Sequence, residues 1–326
     1  MATKRLNKAR QEIEEARSRL LLKKYIAYQA DVGTRISALR KLIGTDMGEE
    51  LHRHVIVSSI AALQTFHRGI IISIVDSSDV YKARAAANVS EKISLTEALA
   101  WLGDKTITFG ELVAHNAPCN SVNDLISWLG NLLDCDIKQA LTEAIDPLDR
   151  RNGKENAARI ISNVDRLLKN LAETFRLRHI FAHEAAHDLV VDTDTCVRSL
   201  SAVKEWITGV EAVMWVTVYA NYPLLTSEMN QHAFAEADAA RKKLAIAQKQ
   251  AMSAARLNGS ASWLRANHFA WKRVTRDWFD NTYFNLDGTM WRSVGANDWA
   301  IAIRDRAELV SHWVKSQSPD GYADES

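Results

Sequence analysis

The sequence predicts an all-α protein, a larger helical bundle followed by a small three-helix domain. Three observations carry this. Only 13 Gly and 4 Pro interrupt 326 residues, so long helices are the default. Apolar residues make up 47% of the chain, enough to bury a sizeable core, and they recur near helical spacing. No strand pattern of any length appears.

Residues 4–43 read as helix, with Leu6, Ile13, Leu20 and Leu21 near helical spacing. Lys4, Arg5, Lys8, Arg10, Arg17, Arg19, Lys23 and Lys24 outnumber Glu12, Glu14 and Glu15 there. Two readings stay open for this helix: a solvated face packed on the body or a second subunit, or an arm for RNA or a partner. Gly44 ends it. Residues 47–75 form a strongly apolar helix with Leu51, Val55, Ile60, Leu63, Phe66 and Ile70 inside. Shorter helical pieces follow over 78–145, broken at Gly103, Gly110, Pro118 and Gly130. Pro147, Asn152 and Gly153 predict a turn. From Lys154 to Thr208 the chain holds no Pro or Gly, and "DLVVDTDT", rich in β-branched residues and Asp, predicts its interruption. Thr193 or Asp194 would cap a helix over 195–222, whose apolar surface comprises Trp206, Val210, Val213, Val216 and Val218.

Pro223 marks the clearest boundary. An amphipathic helix begins after it, with Thr226 or Ser227 as cap, and Asn258-Gly259-Ser260 turns the chain. Residues 261–282 and 294–315 give two more helices. The expected organisation is a charged N-terminal helix (1–44), a helical domain (45–222), a small helical domain (223–316) and a polar tail (317–326).

Net charge is +1, so no global field draws nucleic acid and any such contact must come from a local patch. Cys119, Cys135 and Cys196 are odd in number and not closely paired, which argues against a disulfide framework or a cysteine zinc knot. A reducing cytoplasm fits best. The N-terminus has no signal-peptide core, and "IIISIV" at 70–75 is too short to span a bilayer. The expectation is a cytoplasmic protein without a membrane partner.

The stretch "RLRHIFAHEAAHD", residues 176–188, carries the chemistry. It holds two overlapping patterns. His183-Glu184-Ala185-Ala186-His187 reads as H-E-x-x-H, a helical zinc site in which two imidazoles chelate and the Glu acts as general base. Asp188 beside the second His, the cations Arg176 and Arg178, and the lack of an obvious third ligand downstream argue against it. A surface rich in His and Arg making ordinary pairs one turn apart is the bland alternative. Arg178 and His183 offer a third reading. Metal-free RNA cleavage needs a group that moves protons between the 2′-OH and the leaving 5′-oxygen, and a cation that holds the phosphate as charge builds. His suits the first task and the forked Arg guanidinium the second. Five residues apart, they diverge by about 140° round the helix axis. A two-fold dimer would bring two of each into one cleft.

Arg178-His179-Ile180-Phe181-Ala182-His183 resembles the R-x4-H signature of HEPN domains, all-α and commonly dimeric. The flanking "VDRLLKNLAETFRLRHIFAHE", with "ELHRHVIVSSIAALQTFHRGI" and "ITFGELVAHNAPCNSVNDLISWL" upstream, is similar to the same group, so the resemblance covers roughly 45–222. It implies a metal-independent endoribonuclease acting as a toxin or anti-phage effector, with no cofactor. Arg178 and His183 would be the catalytic pair and His179 the accessory polar residue. Products would carry a 2′,3′-cyclic phosphate and a 5′-hydroxyl. Expected partners are an RNA substrate and a second copy of the chain. The rival within the resemblance is a non-catalytic scaffold that mediates protein association.

The tail resembles the LprI lysozyme-inhibitor-like domain through Thr226, Met229, Ala237, Asp238, Leu264, Trp271, Arg276, Asp277, Gly288, Thr289, Arg306 and Leu309. Secreted relatives carry cysteines near His232, Asp280 and Asp298, and His268 replaces their usual Gln. The departures imply a domain retooled for interaction or sensing, with a regulatory or antitoxin protein as expected partner. Trp263, Trp271, Trp278, Trp291 and Trp299 are expected in its core rather than as base-stacking platforms.

Overall fold

The computed structural model describes residues 2–18, 28–43, 48–88, 107–184, 189–283, 286 and 290–317. These form 13 α-helices and no strand; the one β-type pairing among the described residues is an isolated bridge between Ile145 and Arg159. The chain divides into two compact units, Met1–Asn221 and Tyr222–Ser326.

Unit 1 contains α1 (Ala2–Ser18), α2 (Tyr28–Ile43), α3 (Glu49–Ser77), α4 (Asp79–Asn88), α5 (Phe109–Asn116), α6 (Val122–Leu133), α7 (Ile137–Thr142), α8 (Pro147–Arg151), α9 (Val164–His183) and α10 (Thr193–Val216). The axis of the unit is α3, which packs against α2, α5, α9 and α10. Its inner residues Val55, Ile60, Leu63, Phe66 and Ile70 are buried as the periodicity predicts, but Leu51, in the first turn, is exposed. By length and composition α3 is apolar enough to cross a membrane. However, 72% of its most apolar window is buried inside unit 1. The short "IIISIV" run is thus the last third of a 29-residue core helix.

Local chemistry sets most boundaries. Thr108 and Glu111 form a reciprocal capping box at α5. The side chains of Ser121, Asp136, Asp146 and Asn163 cap α6, α7, α8 and α9 by accepting backbone N–H groups. Each such cap is worth about 1 kcal/mol. Gly110 and Gly130 lie inside helices instead of breaking them. At Gly110 the backbone N–H donates to Asp76 Oδ1 at 2.9 Å, so the carboxylate ending α3 also holds the start of α5. Gly209, inside α10, marks a close approach: a Cβ there would sit 2.5 Å from Ile161 Cδ1.

Of the helix expected over 4–43, the described parts, α1 and α2, are helical; residues 19–27 between them, Gly44 and Gly103 lie outside the described residues. In α1, Ile13 is buried, and Arg17 pairs with Glu111 of α5, so this helix packs on the body. Asp192, not Thr193 or Asp194, caps α10, its carboxylate accepting from Thr195 N at 2.8 Å. That helix ends at Val216 rather than 222, leaving Val216 exposed.

Unit 2 contains α11 (Thr226–Leu257), α12 (Ala261–Tyr283) and α13 (Met290–Ser316). Neither Thr226 nor Ser227 caps α11. Glu228 reaches back one turn and accepts from Leu224 N at 2.9 Å and Leu225 N at 3.2 Å. Asn258 and Gly259 make the next turn, with Gly259 in the left-handed region at φ 77° and Asn258 Oδ1 accepting from Ser260 N at 3.1 Å. The core of unit 2 is small. Ala237, Ala240, Leu244, Ala247, Ala251 and Ala255 of α11 meet Ala300, Ile303, Ala307 and Val310 of α13. The tryptophans divide: Trp271 and Trp299 pack on this core, whereas Trp263 and Trp278 are exposed. Trp271 stacks on His268 with ring centroids 5.8 Å apart, and the buried Arg306 lies over the same indole at 5.6 Å.

Candidate functional site

Three side chains singled out by the sequence, Arg178, His179 and His183, lie in the last two turns of α9. The apolar stripe Val164, Leu167, Leu171 and Phe175 faces the main core of unit 1. Arg178 continues that stripe and is half-buried. Its guanidinium acts electrostatically on the Cys119 thiol, which lies just beyond the end of α5. Among the described residues no carboxylate pairs with Arg178.

His179 and His183 occupy the outer face and are exposed. One turn apart, their rings sit with centroids 4.8 Å apart and planes at 54°. The structure therefore brings the two histidines together and sets Arg178 on a neighbouring face, as 3.6 residues per turn requires.

Helix α9 stops at His183. Glu184 is its C-cap, in extended backbone at φ −126° and ψ 140°, with its N–H donating to Ile180 O. The helical chelate pictured for H-E-x-x-H needs one continuous helix through the second His. That register is already lost at Glu184; His187 and Asp188 lie outside the described residues.

The residue that sequence reasoning missed is Arg68 on α3. Its guanidinium acts electrostatically on the Cys119 thiol, as that of Arg178 does, so two arginines from different helices influence one sulfur. Burial pushes the Cys119 thiol up despite both cations, which marks it as a packed thiol rather than a thiolate nucleophile. Gln64 fixes the same loop by donating to Cys119 O at 2.9 Å. Arg68 also lines a polar cavity of about 270 Å³ together with Glu12 and Glu15 of α1 and Glu111 and His115 of α5. A signal for Arg68 existed: between Arg53 and Asp76 it is the one Lys, Arg, Asp or Glu in α3.

His67 is buried with neither ring nitrogen hydrogen-bonded. Desolvation lowers its pKa to about 3, opposed by Asp124 and reinforced by Arg68. It is a neutral core residue, not a proton carrier near neutral pH.

Compared with known proteins, the chain matches no family model, no curated protein and no solved structure. The likeness to HEPN domains and to the LprI tail rests on the residues quoted above.

Proposed function

We propose that unit 1 is a metal-independent endoribonuclease of HEPN type, working as a toxin or anti-phage effector. The observation that supports it is the end of α9, where an arginine without a carboxylate partner among the described residues adjoins two exposed, mutually packed imidazoles. In this reading His183 moves protons between the RNA 2′-OH and the leaving 5′-oxygen. Arg178 stabilises the charge building on the phosphorane, and its fork suits two phosphate oxygens better than an ammonium would. His179 holds the His183 ring. The 2′-oxygen bonds phosphorus as the P–O5′ bond breaks, leaving a 2′,3′-cyclic phosphate and a 5′-hydroxyl.

Within one chain Arg178 and His183 turn to different faces, so the reading includes a two-fold dimer whose cleft combines residues of both copies. The rival, a scaffold that only mediates association, needs no proton carrier at His183.

The experiment is cleavage of a defined RNA in the presence of EDTA, with end-group analysis. His183→Ala should lower the rate by about 10²-fold or more, and Arg178→Lys should be strongly impaired, both folded by circular dichroism. Excess His183→Ala chains mixed with wild type should depress activity beyond dilution. Unchanged cleavage in both variants would move the active site elsewhere, and a linear mixing curve with proven subunit exchange would remove the shared cleft.

A further inference from the structure

A cavity of about 1370 Å³ lies in unit 2, among α11, α12 and α13. Ordinary small-ligand pockets span roughly 300–1,000 Å³, so this one is large enough for an extended small molecule. Its lining combines two chemistries. Five aromatic side chains contribute: Phe234, Phe279, Tyr283, Trp291 and Trp299. Four cations join them: Arg241, Lys272, Arg276 and Arg292.

The aromatic part is ordered. Phe279 meets Trp299 edge-on at 4.9 Å and stacks on Tyr283 at 5.7 Å. The Tyr283 hydroxyl is committed to Asp298. Gly295 keeps the ring close to α13, since a Cβ there would stand 3.2 Å from Tyr283 Cγ. Trp299 carries a buried indole N–H with no hydrogen-bond partner, a donor still to be satisfied.

The charges do not cancel. Arg241 is held by Asp238, and Arg276 lies 3.5 Å from Asp280. Lys272 and Arg292 have no ion-pair partner among the described residues. Two cations therefore stand without an ion pair beside an aromatic surface. A purely apolar ligand would leave them without a counter-charge, and inorganic phosphate would leave the exposed ring of Phe234 uncovered. A flat aromatic ring joined to phosphate satisfies both, by stacking and by charge-assisted hydrogen bonds.

We infer that unit 2 is a receptor for a nucleotide, its base against Phe234 and Trp291 and its phosphates on Lys272 and Arg292. The site is separate from the nuclease reading, and each can fail without the other.

Calorimetric titration of the full chain with ATP, GTP, CTP and UTP tests it. At least one nucleotide should bind saturably at one site per chain. Removing either half of that ligand, as free nucleoside or inorganic triphosphate, should weaken binding at least tenfold. The double variant Lys272→Gln/Arg292→Gln changes two exposed residues and should also weaken it at least tenfold. Arg178→Ala should bind as wild type does. The inference is overturned if no nucleotide binds, if the double variant binds normally, if Arg178→Ala abolishes binding, or if only an oligoribonucleotide binds.

Discussion

Unit 1 closes its interior with Trp206, Phe66, Leu125, Leu129 and Ile56, Ile60, Ile70, Ile71 and Ile74 of α3, each under 2% exposed, whereas unit 2 joins its two long helices largely through alanines. Burying a large aliphatic or aromatic side chain contributes about 1.5–3 kcal/mol, and an alanine methyl much less. Large side chains in unit 2 sit elsewhere: Trp263, Phe269, Val274 and Trp278 of α12 are all more than half exposed. The two units therefore put their apolar surface to different uses. Unit 1 uses it for cohesion and presents polar chemistry at a helix end. Unit 2 keeps a thin core and leaves aromatic surface on α12 and around a cavity, where it is accessible to other molecules.

Three measurements test this contrast. The largest effect is expected at Trp206, wholly buried although its indole N–H lacks a hydrogen-bond partner. Trp206→Ala should cost about 3–5 kcal/mol in denaturant unfolding, the range for large aromatic truncation in a close-packed core. A loss below about 1 kcal/mol would show that unit 1 is not packed as described.

Next comes acid. The pKa of His67 is lowered to about 3 by burial, so its neutral form belongs to the folded state. Its stabilising contribution is complete above the ordinary imidazole range and declines as pH falls from there toward the folded value. Below that range the unfolded chain takes up a proton that the folded chain refuses, at about 1.4 kcal/mol for each tenfold rise in acidity. Unit 1 should therefore lose about 2 kcal/mol between pH 7.5 and 5 from this residue alone. His67→Met should flatten that part of the pH–stability curve. An unchanged slope in the variant would assign the acid sensitivity to other groups.

The smallest effect is predicted on the outside of unit 2. Phe269→Ser removes an aromatic ring that is 67% exposed and should change unfolding free energy by no more than about 0.5 kcal/mol. A cost above about 2 kcal/mol would mean that the α12 surface is covered in solution.

Helical periodicity made the architecture readable, because α3, α9, α10 and the three helices of unit 2 each carry long runs of it. The caps were less readable. Asp192, Thr193 and Asp194 are all competent side chains, and only the backbone trajectory selects Asp192. Glu228 acts from inside the helix it caps, so the search for a residue in front of the helix misses it. Gly110 and Gly130 looked like breaks because composition does not reveal that a neighbour such as Asp76 fixes the backbone. At the candidate site, Arg178, His179 and His183 could be named from one short string. Arg68 could not be joined to them, since its influence on Cys119, shared with Arg178, links three separate stretches of chain. The end of α9 at His183 was hidden by the H-E-x-x-H pattern, which suggests a helix running further.

The alanine seam has one consequence for how this protein can change over generations. Ala237 belongs both to the seam between α11 and α13 and to the lining of the large cavity. Methyl groups set the spacing of the two helices there, like shims under a hinge. A lineage that exchanged a seam alanine for serine or valine would alter the opening of the cavity without touching Lys272, Arg292 or the rings. The size of what fits and the chemistry of what is gripped are therefore encoded at different positions, and selection can adjust one while preserving the other.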